Sequence, residues 1–134
     1  MRRDKPLRSR PHRVYSGERW NVDVERVEDW LLSLDADSYT QVMAALELLA
    51  ERGPSLGRPL VDTLARSRHR NMKELRPGSA GRSELRLLFT FDPDRSAVFL
   101  IAGDKLGTWR RLHEKNIPAA DDLFDDHLRR RKEK

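Results

Sequence analysis

The chain has 134 residues, a net charge of +5 at pH 7 and no cysteine. That length suits one domain with a modest core and a single active site at most, and the missing cysteines exclude disulfides, thiolate zinc sites and a cysteine nucleophile. Hydrophobic and charged residues each make up 37% of the chain, the balance of a soluble domain with a heavily charged surface, and no apolar run reaches the length of a membrane span.

Residues 1–17 begin MRRDKPLRSRPHR and mix arginine, proline and serine without periodicity, so they are expected to form a basic disordered arm ahead of a single domain at 18–128. The arm lacks the apolar centre of a secretory signal, which makes the cytoplasm the expected location. Trp20, Val22 and Val24 alternate with Asn21 and Asp23 and predict a short strand. From Arg26, the residues Val27, Trp30, Leu31 and Leu34 fall at helical spacing, and Asp35 to Asp37 forms a break able to cap a second helix. That helix carries Tyr39, Val42, Met43, Leu46 and Leu49 on one stripe and ends before Gly53-Pro54, completing a helical hairpin.

The segment GPSLGRPLVDTL is rich in glycine and proline and is expected to wrap over the surface, ordered by Leu60, Val61 and Leu64. Met72 to Arg76 is a short candidate strand. Glu84 to Phe91 is a longer one, with Leu85, Leu87, Phe89 and Phe91 on one face and Arg86, Leu88 and Thr90 on the other. Asp92-Pro93-Asp94 supplies a tight turn, and Ala97 to Ala102, with no polar residue, predicts a buried central strand. Gly107 to Asn116 shows no clear period. Ile117-Pro118 then opens a last helix with an apolar face of Ala120, Leu123, Phe124 and Leu128. On that helix Asp121-Asp122 and Asp125-Asp126 read as a solvated face, and RRRKEK, residues 129–134, as a fraying basic tail. Seven elements in the order strand, helix, helix, strand, strand, strand, helix predict an α+β fold, with the later strands antiparallel and the hairpin packed on one face of the sheet.

Charge is unevenly distributed. Between Glu18 and Glu51 nine acidic residues face only Arg19 and Arg26, a local balance of −7 that leaves +12 on the rest of the chain. A basic side of that size attracts polyanions, of which nucleic acid is the commonest in a cell interior. The histidines stand at 12, 69, 113 and 127, none three to five residues from another, so a dedicated metal site is not expected; carboxylates could recruit magnesium, but the acidic pairs read more simply as a helix face, and no cofactor is expected. Interleaved aromatic and basic residues in TWRRLH favour RNA over a membrane.

The order LR at 75–76, a glycine-containing turn, the LRLLF strand, an aspartate turn, an apolar strand and a Gly-Asp-Lys corner at 103–105 resembles the RelE/HigB toxins of bacterial type II toxin–antitoxin pairs. Within the RelE/ParE superfamily it is most similar to the RelE/HigB, phage Gp49-like, branch. The resemblance spans about Arg19 to Leu128 as an order of elements rather than a rigid signature. It implies a RelE-like fold, metal-independent RNA cleavage through the 2′-hydroxyl on the ribosome, and inhibition of translation. Such cleavage needs a base for the 2′-hydroxyl, cations for the charge growing on the phosphate and an acid for the departing oxygen.

Carried onto this sequence, the resemblance implies Arg76, Arg86, Lys105 and His113 as catalytic residues, His113 standing near a late tyrosine or histidine of the family. Lys73, Arg82, Trp109, Arg110 and Arg111 are candidates for RNA contact, Trp109 as a stacking platform or else a core aromatic. Arg66, Arg68 and Arg82 also read as ordinary surface charges. One departure stands out: Met72-Lys73-Glu74 occupies a stretch where relatives often place two lysines, so Glu74 puts a negative charge where a cation is expected. The resemblance further implies a cognate antitoxin, commonly of helix-turn-helix type, with operator DNA reached only through it. Two other readings remain open, a ParE-like gyrase inhibitor and a non-catalytic RNA-binding relative.

Overall fold

The structure, a computed structural model, describes residues 19–78, 85–104 and 110–133, with side chains from 115 onward in the last segment. The chain opens with strand β1 (Asn21–Asp23), a 3-10 turn (Glu25–Val27) and a short helix α1 (Glu28–Leu32). Helix α2 (Ala36–Arg52) follows. Asp35 caps it as its sequence predicts: the extended Asp35 accepts a hydrogen bond from Ser38 N at 2.7 Å, satisfying an orphan donor of the first turn. Gly53 ends α2 at φ +57°, and a Cβ there would come within 2.2 Å of Trp20 Nε1, so both backbone and packing demand glycine.

Beyond a 3-10 turn at Gly53–Ser55 come β2 (Val61–Thr63), β3 (Lys73–Leu75), β4 (Leu85–Phe91), β5 (Ser96–Asp104) and helix α3 (Arg110–Lys132). The five strands form one sheet in the order β1-β5-β4-β3-β2, antiparallel except where β1 runs parallel to β5. Alternation along β4 sends Leu85, Leu87 and Phe89 into a core shared with α1 and α2, and Leu88 into a second core beneath α3. Opposite them, β5 carries a bulge: Leu88 pairs with Ile101 and Phe89 with Phe99, leaving Leu100 as an extra residue. Leu100 and Ile101 consequently both belong to the α3 side, and the strand resumes alternation with Ala102 on the hairpin side. Helices thus cover both faces of the sheet.

Four expectations are corrected. The glycine- and proline-rich segment is not all surface wrap, because Val61–Thr63 pairs with Lys73–Leu75 as an edge strand; three residues are too few to show a period. The last helix starts at Arg110 rather than Ile117, and Pro118 lies inside it, where it omits one backbone donor without ending the helix. Its basic end does not fray: the helix continues to Lys132, and Arg131 Nε donates to Asp94 Oδ2 at 2.6 Å. Nor is the acidic stripe of α3 simply solvated. Asp121 is 3% exposed and accepts from Ser67 Oγ and, at 3.2 Å, from Arg68 N, while Arg68 reaches Asp122 at 2.9 Å and pairs with Asp125. His69 Nε2 lies 2.8 Å from Asp125 Oδ1. The connection between β2 and β3 is therefore pinned to α3 by aspartates that a linear reading assigns to water.

Candidate nucleic-acid interface

Sheet register decides which charged residues meet. Glu74 pairs with Leu88 and Asp62 with Glu74 across neighbouring strands, and since Leu88 points to the α3 side, so do Asp62 and Glu74. Arg76 and Arg86, each two residues from a member of that row, share the face. Arg76 is fixed beside β2 by its own N–H, which donates to Leu60 O at 2.7 Å.

These side chains form an array of alternating sign. Arg58 Nε donates to Asp62 Oδ1 at 3.1 Å, Asp62 Oδ2 lies 3.3 Å from Arg76 Nη2, Arg76 Nε donates to Glu74 Oε1 at 2.9 Å, and Arg86 Nε lies 3.9 Å from the same oxygen. Exposure of its arginines falls along it, from 79% at Arg58 to 40% at Arg76 and 11% at Arg86, while the side chains of Asp62 and Glu74 between them are 23% and 5% exposed. Asp62 is held below the usual carboxylate value, chiefly by the hydrogen bond from Arg58, with the charges of Arg58 and Arg76 adding to it. Arg86 also donates from Nη1 to Leu85 O at 2.9 Å, which fixes its plane.

Arg76 and Arg86, expected on adjacent strands, are thus brought together around Glu74. Glu74 does put a negative charge among these cations, as its sequence position predicts, and the structure gives that charge partners. It is not a repulsive charge on a cationic surface but the buried counter-ion between two arginines; the signal was its even spacing from Arg76. Lys73 is separated from the array. It pairs with Phe89 of the hairpin-side core, and its Nζ donates to Thr63 Oγ1 at 3.0 Å, so alternation turns it to the opposite face. Lys105, Arg82 and Trp109 lie outside the described residues, as do the side chains of His113, Arg110 and Arg111, although α3 begins at Arg110.

A second polar cluster went unnoticed in the sequence. The β4–β5 turn closes with Asp92 N donating to Ser96 O at 2.9 Å and Arg95 at φ 62°, a conformation that suits a turn ending in a left-handed residue. Asp92 Oδ1 accepts from Asp94 N and Ser96 N, both at 2.9 Å, and its other oxygen meets His127 of α3. An open cleft of ≈ 570 Å³ lies beside this pair, lined partly by Asp23, Arg26, Arg130 and Arg131. Its arginines are engaged: Arg26 and Arg130 approach Asp126 at 3.3 and 3.1 Å, and Arg131 holds Asp94. Among the described residues, no three His, Asp or Glu side chains are grouped to hold a metal ion, and no helix is long and apolar enough to cross a membrane.

The family model described as phage derived protein Gp49-like (DUF891) matches residues 29–125. The chain is 57% identical over 109 residues to the Mycobacterium tuberculosis protein named "Putative toxin HigB2", covering 81% of this chain and 54% of that protein. It is 48% identical over 103 residues to "Putative toxin HigB3" of the same organism, covering 77% of this chain and 88% of that one. The chain therefore spans about half the length of the first relative and most of the second. No solved structure matches. With Leu75 closing β3, Arg76 next to it and LRLLF opening β4, the family match over most of the described chain and the two toxin-named relatives make the protein a member of the phage-derived Gp49-like family and a RelE/HigB-type protein.

Proposed function

We propose that the protein is the toxin of a type II toxin–antitoxin pair and acts in the cytoplasm as a ribosome-dependent mRNA endonuclease that stops translation. The observation carrying this reading is the half-exposed Arg76 guanidinium, backed by Glu74 and Arg86 on one sheet face. A guanidinium held in place offers paired donors to phosphate oxygens without reorganising at the moment of reaction. In this reading Lys105 and His113 complete the site, Lys105 following the last residue of β5 and His113 standing early in α3. His113 would move the proton, since an unperturbed imidazole titrates near neutral pH. Arg82, Trp109, Arg110 and Arg111 extend the contact along the messenger, whose conformation the ribosome supplies. The names of the two mycobacterial relatives support the toxin assignment, and a toxin requires a cognate antitoxin, for which a helix-turn-helix protein that links the pair to operator DNA is the expected form.

The test is induced expression of the wild type beside Arg86→Ala and Lys105→Ala, with growth followed and messenger ends mapped on ribosomes. Growth arrest with new cuts inside translated codons, lost in folded variants, is the expected result. Arrest with intact messengers would replace this reading with a gyrase inhibitor, and absence of arrest with a non-catalytic RNA binder.

A further inference from the structure

We propose that Glu74 is a positioning residue that aims Arg76 at an RNA phosphate, and that Arg86 acts on the phosphate through Glu74. The inference rests on the reading of this face as RNA-binding, and it assigns a role to a buried residue whose charge argues against that reading. Glu74 is 4% exposed on an inner strand, with Arg76 Nε at 2.9 Å and Arg86 Nε at 3.9 Å from one carboxylate oxygen. A carboxylate buried that deeply is retained only where cations and hydrogen bonds compensate its lost hydration. Arg86, itself 11% exposed and tied to Leu85 O, is placed to compensate it from behind. Arg76 compensates it from the front and, at 40% exposure, keeps guanidinium surface toward solvent. Only Arg76 of this trio is open enough to meet a ligand directly.

A second carboxylate pulls Arg76 the other way. Asp62, on the edge strand, approaches Arg76 Nη2 at 3.3 Å and is itself held by Arg58. With Glu74 in place, Arg76 is held through Nε near the inner strands. Without it, Asp62 becomes the dominant anion and draws the guanidinium toward the sheet edge. Two like-charged residues on adjacent strands therefore have opposite effects: the buried one presents the arginine and the more exposed one competes for it.

Electrostatics alone predicts the reverse of this proposal. Removing a negative charge from a polyanion-binding face ought to tighten binding, so the direction of the change separates positioning from charge. The experiment measures binding of the full chain to a single-stranded RNA with 2′-O-methyl groups, which cannot be cut, for Glu74→Gln with and without Arg76→Ala. With Arg76 present, Glu74→Gln is expected to weaken binding about tenfold and to lower the salt dependence by about 0.7 in slope, one phosphate contact on a single strand. With Arg76→Ala already in place, the same substitution is expected to tighten binding, because no Arg76 remains to be aimed and a negative charge leaves the face. Arg86→Ala should weaken binding in the wild type and change it little when combined with Glu74→Gln.

General damage to the fold would weaken binding in both backgrounds, and melting curves of each variant reveal it. Should Glu74→Gln fail to fold, Glu74→Asp retracts the carboxylate by one methylene while keeping its charge, and is expected to weaken binding only when Arg76 is present. Binding at least as tight in Glu74→Gln as in the wild type would overturn the proposal and make Glu74 a mere competitor for phosphate. A wild type that binds no RNA would overturn the reading of the face and the proposal together, whereas RNA that is bound but never cut on ribosomes would remove the nuclease and leave the positioning role standing.

Discussion

His127 on α3 and Asp92 at the start of the β4–β5 turn are hydrogen-bonded, Nε2 to Oδ2 at 2.8 Å, across 35 positions of sequence. Asp92 is 7% exposed, and its other oxygen is saturated by two backbone N–H groups of its own turn, so His127, together with the Arg131–Asp94 pair, ties this turn to the far end of the helix. His127→Ala leaves a buried carboxylate oxygen without that partner. It should lower unfolding free energy by about 1–3 kcal/mol, read from denaturant midpoints at unchanged slope. A loss within error would show that water replaces the imidazole without cost.

Arg76 and Arg86 should separate by phenotype. Arg86→Ala removes a mostly buried partner of Glu74 and is expected to cost about 1–3 kcal/mol of stability. Arg76→Ala removes a half-exposed side chain and should cost less than about 1 kcal/mol, yet reduce RNA affinity more. Lys73→Ala, on the opposite face, should change affinity less than either arginine. Chemical denaturation and a filter-binding titration on the same preparations make the comparison, and equal effects of Lys73 and Arg76 on affinity would contradict the two-faced placement.

Acid should weaken the fold through its surface aspartates. Asp125 is held below its ordinary value of 3.8, chiefly by hydrogen bonds from Arg68 and then His69. Asp94 is held down by Arg131 and Asp62 by Arg58. Each folded carboxyl binds protons less readily than the unfolded one, so these contributions are complete above the ordinary carboxylate range and are lost as pH falls through the lowered folded values. The melting temperature should decline below about pH 5, less steeply in Asp125→Asn than in the wild type and less steeply still at high salt. Parallel curves for wild type and variant would mean that the Asp125 pairs contribute nothing in solution.

Gly53→Ala combines two penalties, a left-handed backbone at φ +57° and a methyl group 2.2 Å from the Trp20 indole nitrogen. The expected cost is about 1–3 kcal/mol or more. Because Trp20 also contacts Phe91 edge-on and carries the Arg95 guanidinium over its ring at 4.4 Å, its fluorescence should shift in the folded state, which a purely local backbone effect would not produce.

The strands that position the site could be read from the chain because their causes are local. Alternation along LRLLFTF assigns a face to Arg86, and the apolar run from Ala97 requires cover on both sides. Strand β2 was hidden because Val61–Thr63 becomes a strand only by pairing with β3, and no three-residue segment announces its partner. The start of α3 was hidden because RRLHEKN lacks an apolar stripe. Asp121 was misjudged because a charged side chain is assigned to solvent by default, while its burial depends on partners supplied by a distant segment, Ser67 and Arg68; the burial of Glu74, with Arg86 of the next strand beside it, was hidden for the same reason. Lys73, by contrast, was readable in principle, since it is out of phase with Arg76.

The parallel pairing of β1 with β5 sets an order on assembly. Asn21 waits for Ser96, so during synthesis the first strand leaves the ribosome long before its neighbour exists, and the helical hairpin can form while the sheet that it covers is still incomplete. Closing such a long loop is slow compared with making the β4–β5 hairpin. Strand β1 therefore joins its edge of the sheet only after the chain through β5 has been made.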